Sequence, residues 1–198
     1  EIPEICEWFT SRPENDMSTA AHEIAHLALG LGDMYAKNVF LDMEPDSFSL
    51  MGDYDGTTTH LDAMLKLARV TSSDVVYDLG SGDGRIPIAA AKRYGAFGVG
   101  IEMNSFLIRR ANDNLKQAGV GDRVRFVYGD LFEADISAAT VVTLFLLPGL
   151  NERLIPKFRR ELRQGTRIVS HHFGMGEAWP PEQSQDVNGL MIYLWTIR

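Results

Sequence analysis

From about Thr59 to its C-terminus, the sequence alternates short apolar segments with amphipathic ones. The pattern predicts strands at 74–79, 97–101, 123–128, 140–146, 166–170 and 191–197, and helices at 61–68, 85–94, 105–118 and 150–162. Strands that alternate with helices of roughly 10–15 residues are typical of a parallel sheet covered by helices on both faces. The segment 140–146 carries no charge, as expected of a strand buried on both sides. We therefore predict an α/β domain.

Charge and composition limit the partners of such a domain. The net charge of −8 argues against nucleic acid and anionic membranes, because both require a basic face. No apolar run reaches the roughly 18 residues that a membrane-spanning helix needs. Cys6 is the only cysteine, so no internal disulfide can form and a reducing, cytoplasmic location is expected. The sequence starts at Glu1 without a methionine, which leaves a removed targeting segment open.

The first 50 residues have a different character. They show no strand pattern, but apolar residues recur at helical spacing between Ala21 and Leu31. We predict a helical N-terminal extension over 1–50, followed by the main domain over 51–198. His22 and His26 match the H-E-x-x-H pattern of zinc-binding helices. Because no third ligand stands out downstream, we expect a packing helix there and no metal site.

A glycine-rich turn joins the first predicted strand of the main domain to its helix. Gly80, Gly82 and Gly84 form G-x-G-x-G, and glycines at such a junction let the backbone approach a ligand closely. A dinucleotide site requires G-x-G-x-x-G, and Arg85 occupies its third glycine position. The carboxylate of Asp78, at the strand end, would repel a pyrophosphate and attract a cation. The turn therefore disfavours a nicotinamide dehydrogenase.

Two further carboxylates follow the next strands. Glu102 ends the second strand, 18 residues after Gly84, where an acidic residue can accept hydrogen bonds from both ribose hydroxyls. Asp130 follows the third strand and can accept one from an adenine amino group. Ligands of open α/β sheets bind at the carboxyl ends of the strands, so Asp78, Glu102 and Asp130 should line one crevice.

This arrangement resembles the class I S-adenosylmethionine-dependent methyltransferases, from about Leu61 to the C-terminus. The resemblance implies a Rossmann-like, seven-stranded, mostly parallel sheet with an antiparallel last strand. It also implies S-adenosylmethionine as the cofactor, with the glycine loop on the methionine part, Glu102 on the ribose and Asp130 with Leu131 on the adenine. The cofactor-binding residues expected on this basis are Asp78, Gly80, Ser81, Gly82, Asp83, Gly84, Glu102, Met103, Asp130, Leu131 and Phe145.

A narrower likeness covers Asp74 to Trp179. The runs 78–86, 141–147, 151–162 and 165–171 resemble the archaeal and bacterial protein-lysine methyltransferases. That group is related to the mitochondrial enzymes that methylate lysine on a component of the ATP synthase. The likeness implies a protein lysine as the methyl acceptor. It fails at 52–59, where those proteins carry a Pro-Tyr-Val-Pro-Thr-type segment, so the acceptor is less constrained than the cofactor.

Other functions remain open from the sequence alone. A small-molecule N- or O-methyltransferase could use the N-terminal extension as a lid, and a cofactor-binding scaffold would lack catalysis. The fourth strand is followed by Leu147-Pro148 and not by the Asp/Asn-Pro-Pro-aromatic motif of enzymes that methylate DNA bases or glutamine. Tyr54, His171 and His172 are the candidate catalytic residues, because they are placed where the acceptor should enter.

Overall fold

The computed structural model describes residues 60–198, and in this range the alternating helices and strands form one sheet with its covering helices. The helices are α1 (His60–Leu67), α2 (Arg85–Tyr94), α3 (Ser105–Ala118) and α4 (Pro148–Glu161). The strands are β1 (Val75–Leu79), β2 (Phe97–Glu102), β3 (Val124–Tyr128), β4 (Val141–Leu144), β5 (Arg167–His171), β6 (Gln183–Val187) and β7 (Leu190–Thr196).

The strand order explains where a ligand can bind. The seven strands are arranged β3-β2-β1-β4-β5-β7-β6. Strands β1 to β5 pair in parallel, whereas β7 is antiparallel to both β5 and β6. This confirms the seven-stranded, mostly parallel sheet. The chain moves outward from β1 to β3 and then returns to place β4 beside β1. The reversal opens a crevice at the carboxyl ends of β1 and β4.

Helices cover both faces of the sheet. On one face, Leu154 and Phe158 of α4 are fully buried in a cluster that includes Leu79 and Ile101 of the central strands. Phe126 lies on the other face, since it pairs in register with Gly100 while Ile101 pairs with Val127. It packs against a second cluster supplied by α2 and α3. Alternation along each strand therefore sends apolar side chains to both faces, as the uncharged strands predicted.

Local chemistry sets the helix ends. Helix α2 is capped after Tyr94 by Gly95, whose φ of 70° places it in the left-handed region that favours glycine. Helix α3 is capped by Asn104, whose side chain accepts hydrogen bonds from the backbone N–H of Phe106 and Leu107, and not by the neighbouring Ser105. Both residue types are good caps, so the residue types alone could not separate these neighbours.

Two strand predictions also need correction. Strand β4 ends at Leu144, two residues before the predicted end, and the chain then leaves the sheet toward Pro148, the first residue of α4. Strand β6 had no predicted counterpart, because its sequence is polar and its residues lie exposed at the edge of the sheet. Predictions for the extension over 1–50, the H-E-x-x-H pattern and Tyr54 lie outside the described residues. Within residues 60–198, no helix is long and apolar enough to cross a membrane.

Candidate active site

The turn between β1 and α2 is anchored by its own backbone. The N–H groups of Gly80 and Ser81 both donate to the carbonyl of Ile101 on β2, at 2.9 and 3.0 Å, and the N–H of Gly84 donates to the carbonyl of Ser81 at 2.9 Å. Gly80, Gly82 and Gly84 all have positive φ, at 81°, 53° and 81°. The sequence therefore uses glycine where the loop turns back over the sheet edge.

Gly80 and Gly84 lie where a side chain would collide with neighbouring residues, whereas the space beside Gly82 is open. A Cβ on Gly84 would overlap the Phe126 ring, and one on Gly80 would lie 2.9 Å from the Leu146 side chain. At Gly82 no described atom would lie within 4 Å of such a Cβ. The loop is thus pressed against the protein at both ends, while its middle leaves room for a ligand.

Asp78 is a buried carboxylate at the end of β1. It is 3% exposed, and the Thr143 hydroxyl donates a hydrogen bond of 2.7 Å to its Oδ1. Burial, together with the nearby charges of Glu102 and Asp83, raises the pKa of Asp78 to about 7 against the lowering effect of the Thr143 hydrogen bond. A negative charge is therefore costly here unless a cation accompanies it.

Glu102 links β2 to the glycine loop. Its Oε2 accepts a hydrogen bond from the N–H of Gly82 at 3.0 Å, and its Oε1 accepts one from the N–H of Asn104 at 2.9 Å. The residue is only 9% exposed, so this carboxylate is held in place and is not a freely solvated charge. Met103, predicted at the same edge, is 56% exposed beside it.

The predicted residues Asp83 and Asp130 use their carboxylates within the protein. Asp83 forms a two-point ion pair with Arg85, with N–O distances of 2.9 and 2.8 Å. Asp130 is exposed, and its Oδ1 accepts a hydrogen bond of 2.8 Å from the N–H of Phe132. It lies near Glu102, because the N–H of Gly129 donates to the Glu102 carbonyl. The sheet edge thus brings Asp78, Glu102 and Asp130 together at the ends of three adjacent strands, as predicted.

Ser81 supplies an unsatisfied polar atom inside the loop. The residue is 5% exposed, and its Oγ has no hydrogen-bond partner among the described residues. A Cβ on Gly100 would lie 2.6 Å from this oxygen, so only glycine fits at that position of β2. A buried hydroxyl without a partner costs free energy, which makes Ser81 a candidate to bind a polar ligand atom.

The opposite side of the crevice is formed by aromatic rings. The rings of Phe145, just beyond β4, and His171, the last residue of β5, meet edge to face with centroids 4.7 Å apart. Nε2 of His171 lies 2.8 Å from Nδ1 of His60, the first residue of α1. Burial, with smaller effects of His60 and His172, lowers the pKa of His171 to about 3. His172 itself is exposed, with φ of 68° and its ring against Phe173.

Asn151 connects the segments that carry Phe145 and His171, and the sequence analysis did not identify it. The residue is fully buried on α4. Its amide Nδ2 lies within hydrogen-bond distance of the Leu146 carbonyl, the Ser170 hydroxyl and the Phe173 carbonyl, at 3.4, 3.3 and 3.1 Å. It thus connects the ends of β4 and β5. An asparagine in an amphipathic helix normally faces solvent, and no sequence signal marked this one as buried.

Comparison with known proteins agrees with this geometry. Residues 78–183, more than half of the chain, match the family model of the ANTKMT methyltransferase domain. The chain belongs to this methyltransferase family. The sequence-based identification of an S-adenosylmethionine-dependent methyltransferase is thereby confirmed.

Individual members extend the comparison. A protein-lysine N-methyltransferase of Saccharolobus islandicus is 48% identical over 139 residues, which are 68% of this chain and 86% of that protein. An ATP synthase c-subunit lysine N-methyltransferase of Xenopus laevis is 35% identical over 126 residues, or 64% of this chain and 54% of that protein. The chain therefore spans about half the length of this animal member of the methyltransferase group.

A solved structure with higher identity carries a different description. The crystal structure of an RNA methyltransferase from Salinibacter ruber, in complex with S-adenosyl-L-homocysteine, is 55% identical and has a TM-score of 0.68. The match covers 69% of this chain and 89% of that one. A methyltransferase from Geobacter sulfurreducens, also in complex with S-adenosyl-L-homocysteine, is 25% identical with a TM-score of 0.51, over 65% of this chain and 55% of that one. Both share the fold of the present methyltransferase.

Proposed function

We propose that this chain transfers a methyl group from S-adenosylmethionine to a lysine amine of a protein. One observation carries the cofactor part of this proposal: a buried carboxylate, Asp78, ends β1 beside the glycine loop. Its raised pKa, about 7, indicates that the protein does not neutralise it well from within. A ligand that carries a positive charge, as the sulfonium and ammonium groups of S-adenosylmethionine do, would supply the missing cation.

The other residues of the crevice fit the same group. The middle of the loop at Gly82 is open, and Ser81 offers a buried hydroxyl without a partner among the described residues. Glu102 is held by two backbone N–H groups at the end of β2, and a carboxylate there can accept hydrogen bonds from ribose hydroxyls. Leu131 packs partly buried against the core, next to the exposed Asp130, and would adjoin the adenine.

When bound, S-adenosylmethionine supplies an electrophilic methyl group on a sulfonium. The residues of this chain bind and orient it, and they exclude water from the reacting atoms. The acceptor side is suited to an uncharged nucleophile, because Phe145 is apolar and burial keeps His171 neutral. A lysine amine, with an ordinary pKa near 10.4, must lose its proton before it can attack, and such a wall favours the neutral form.

A protein acceptor is supported by the relatives that are named lysine methyltransferases, one of them at 48% identity. The description of the Salinibacter ruber protein makes RNA the second candidate. The net charge of −8 favours protein over RNA, because RNA-binding surfaces gain most of their affinity from lysine and arginine on phosphate.

A labelling experiment separates these acceptors. The full chain is incubated with S-adenosylmethionine labelled in its methyl group and a cell lysate, and the label is then followed into protein, RNA and small molecules. We expect label in protein that resists nuclease. Lysate proteins whose lysines have first been acetylated chemically serve as the matched control and should take up far less, because an amide nitrogen is not a nucleophile. Label in RNA, or equal label in the blocked proteins, would overturn the lysine acceptor.

A further inference from the structure

Two buried histidines connect the start of α1 to the end of β5. Nδ1 of His60 and Nε2 of His171 lie 2.8 Å apart, and the residues are 3% and 1% exposed. Each neutral imidazole has one N–H, so only one of the two facing nitrogens can donate in this contact. The contact therefore couples the position of the proton on His171 to that of the proton on His60.

Both rings are neutral near pH 7. Burial is the largest effect on each and lowers the pKa of both, in the case of His171 to about 3. The charged groups that face the pair are few among the described residues: Asp186 raises the pKa of His60, and His172 lowers that of His171. A pair that resists protonation cannot store a proton taken from a substrate.

Two arrangements of the protons satisfy this contact. In one, Nε2–H of His171 donates to Nδ1 of His60 and leaves Nδ1 of His171 as an acceptor without a partner among the described residues; in the other, Nδ1 of His171 is an N–H without such a partner. A buried N–H without a partner is rarer in folded proteins than a buried acceptor without one, so the first arrangement is favoured. Nδ1 of His60 is then an acceptor, and Nε2–H of His171 donates to it. This leaves an unshared electron pair on Nδ1 of His171.

That nitrogen is buried and has no partner within the part of the chain that the structure describes. There, Nδ1 of His171 contacts no donor or acceptor, although the residue is only 1% exposed. An unsatisfied buried acceptor is costly, and such atoms are few in folded proteins. The ring also packs against Phe145 at the carboxyl edge of the sheet, on the acceptor side of the crevice. This atom is therefore placed to receive a hydrogen bond from a ligand.

We propose that Nδ1 of His171 accepts a hydrogen bond from the N–H of the acceptor amine, and that His60 is a positioning residue that keeps this nitrogen unprotonated. The inference rests on the proposed function, since it concerns the same amine. The ammonium first loses its proton to bulk water. The nitrogen electron pair then forms the N–C bond while the C–S electron pair passes to sulfur, giving a methylammonium and a neutral thioether.

A consequence follows for successive methylations. An unmethylated amine has two N–H groups and a monomethyl amine has one, but a dimethyl amine has none. The hydrogen bond to His171 can thus help the first and second transfers and cannot help a third. Replacement of His171 by Phe, which keeps an aromatic ring, should slow the first transfer about tenfold, the effect expected for loss of one hydrogen bond. The same variant should leave a third transfer unchanged.

Nitrogen NMR tests the proton position directly, without any turnover. In the full chain labelled with 15N-histidine, we expect His171 to show a protonated Nε2 and an unprotonated Nδ1. With S-adenosylhomocysteine present at pH 8.5, n-butylamine should shift the Nδ1 resonance of His171. A protonated Nδ1, or no response to n-butylamine, would overturn the proposal. These outcomes do not depend on whether the natural acceptor is a lysine.

Kinetics with poly-L-lysine as the acceptor test the role of His60. The amide oxygen of His60→Asn can replace Nδ1 as the acceptor, whereas His60→Leu cannot. We expect kcat to fall about tenfold in the leucine variant and to recover in the asparagine variant, with S-adenosylhomocysteine affinity unchanged in both.

Thr166→Val is the matched control for a merely structural effect. It removes a buried hydrogen bond of 3.2 Å, from the Thr166 hydroxyl to the Ala139 carbonyl, at the other end of β5. It should lower stability and leave kcat as in the wild type. If His60→Leu reduces kcat no more than this control, or if His60→Asn fails to restore it, His60 does not position His171.

Discussion

Replacement of Asp78 by Asn should make the protein more stable at alkaline pH. Burial of this carboxylate raises its pKa from 3.8 to about 7, so the folded state holds a proton that the unfolded state has lost between these values. The unfolded state binds fewer protons there, and the stability of the wild type therefore falls as pH rises from about 3.8 to 7. Above about 7 both states are ionised and the loss is complete.

The size of the effect follows from the two pKa values. At about 1.4 kcal/mol for each pH unit, the full loss is ~4 kcal/mol, and ~3 kcal/mol of it falls between pH 5 and pH 8. Asparagine removes the charge and keeps an oxygen for the Thr143 hydroxyl. The stability of Asp78→Asn relative to the wild type should therefore increase by ~3 kcal/mol from pH 5 to pH 8.

Urea unfolding of both proteins at the two pH values measures this difference. Subtracting the stability of the wild type from that of the variant at each pH removes the effect of groups that both proteins share. His171 is one of them, since its lowered pKa makes stability rise with pH below 6.5. Asp113→Asn is the control, because Asp113 is an exposed carboxylate that pairs with Lys116. A difference between wild type and Asp78→Asn that is the same at both pH values would refute the account of Asp78 as a buried, poorly compensated charge.

Three further predictions concern the cofactor crevice. A cationic ligand requires ionised Asp78, so the affinity of the wild type for S-adenosylmethionine should fall up to about tenfold for each pH unit below 7. The affinity of Asp78→Asn should not show this fall. Calorimetry that finds the same pH dependence of affinity in both proteins would contradict this. Glu102→Ala should weaken S-adenosylhomocysteine binding by ~1.5–3 kcal/mol while the fold survives, and unchanged affinity would exclude Glu102 as a ligand. Gly82→Ala should lower the free energy of unfolding in urea by ~1–2 kcal/mol, because its φ is positive. Gly84→Ala should lower it by ~2–5 kcal/mol, because its Cβ would also overlap the Phe126 ring. Equal losses in the two variants would contradict this packing.

Much of the fold could be predicted because buried apolar residues recur along the chain at the spacing of helices and strands. Helix α2 was predicted with its observed bounds, since Gly84 and Gly95 flank an amphipathic run. Strand β6 could not be found from hydrophobic alternation, because an exposed edge strand has no buried face. The turn at Asn188-Gly189 was its one available signal: both residues have positive φ, at 53° and 85°, and Asn-Gly is typical of a two-residue hairpin.

The cofactor side of the site was easier to predict than the acceptor side. Asp78 and Glu102 lie at strand ends, and strand ends meet at one edge of any parallel sheet. The contact between His60 and His171 joins residues 111 positions apart through the packing of a helix on the sheet, which no local pattern encodes. Asn151 was missed for the same reason, because its partners lie on three separate segments.

Mass spectrometry of the reaction product tests the central claim most directly. The full chain is incubated with lysate proteins and S-adenosylmethionine that carries a CD3 group, and the products are digested and sequenced. The account predicts CD3 on lysine side chains, with much less in reactions that use Glu102→Ala. CD3 found on nucleotides, on a small molecule or on another amino acid, with none on lysine, would contradict it.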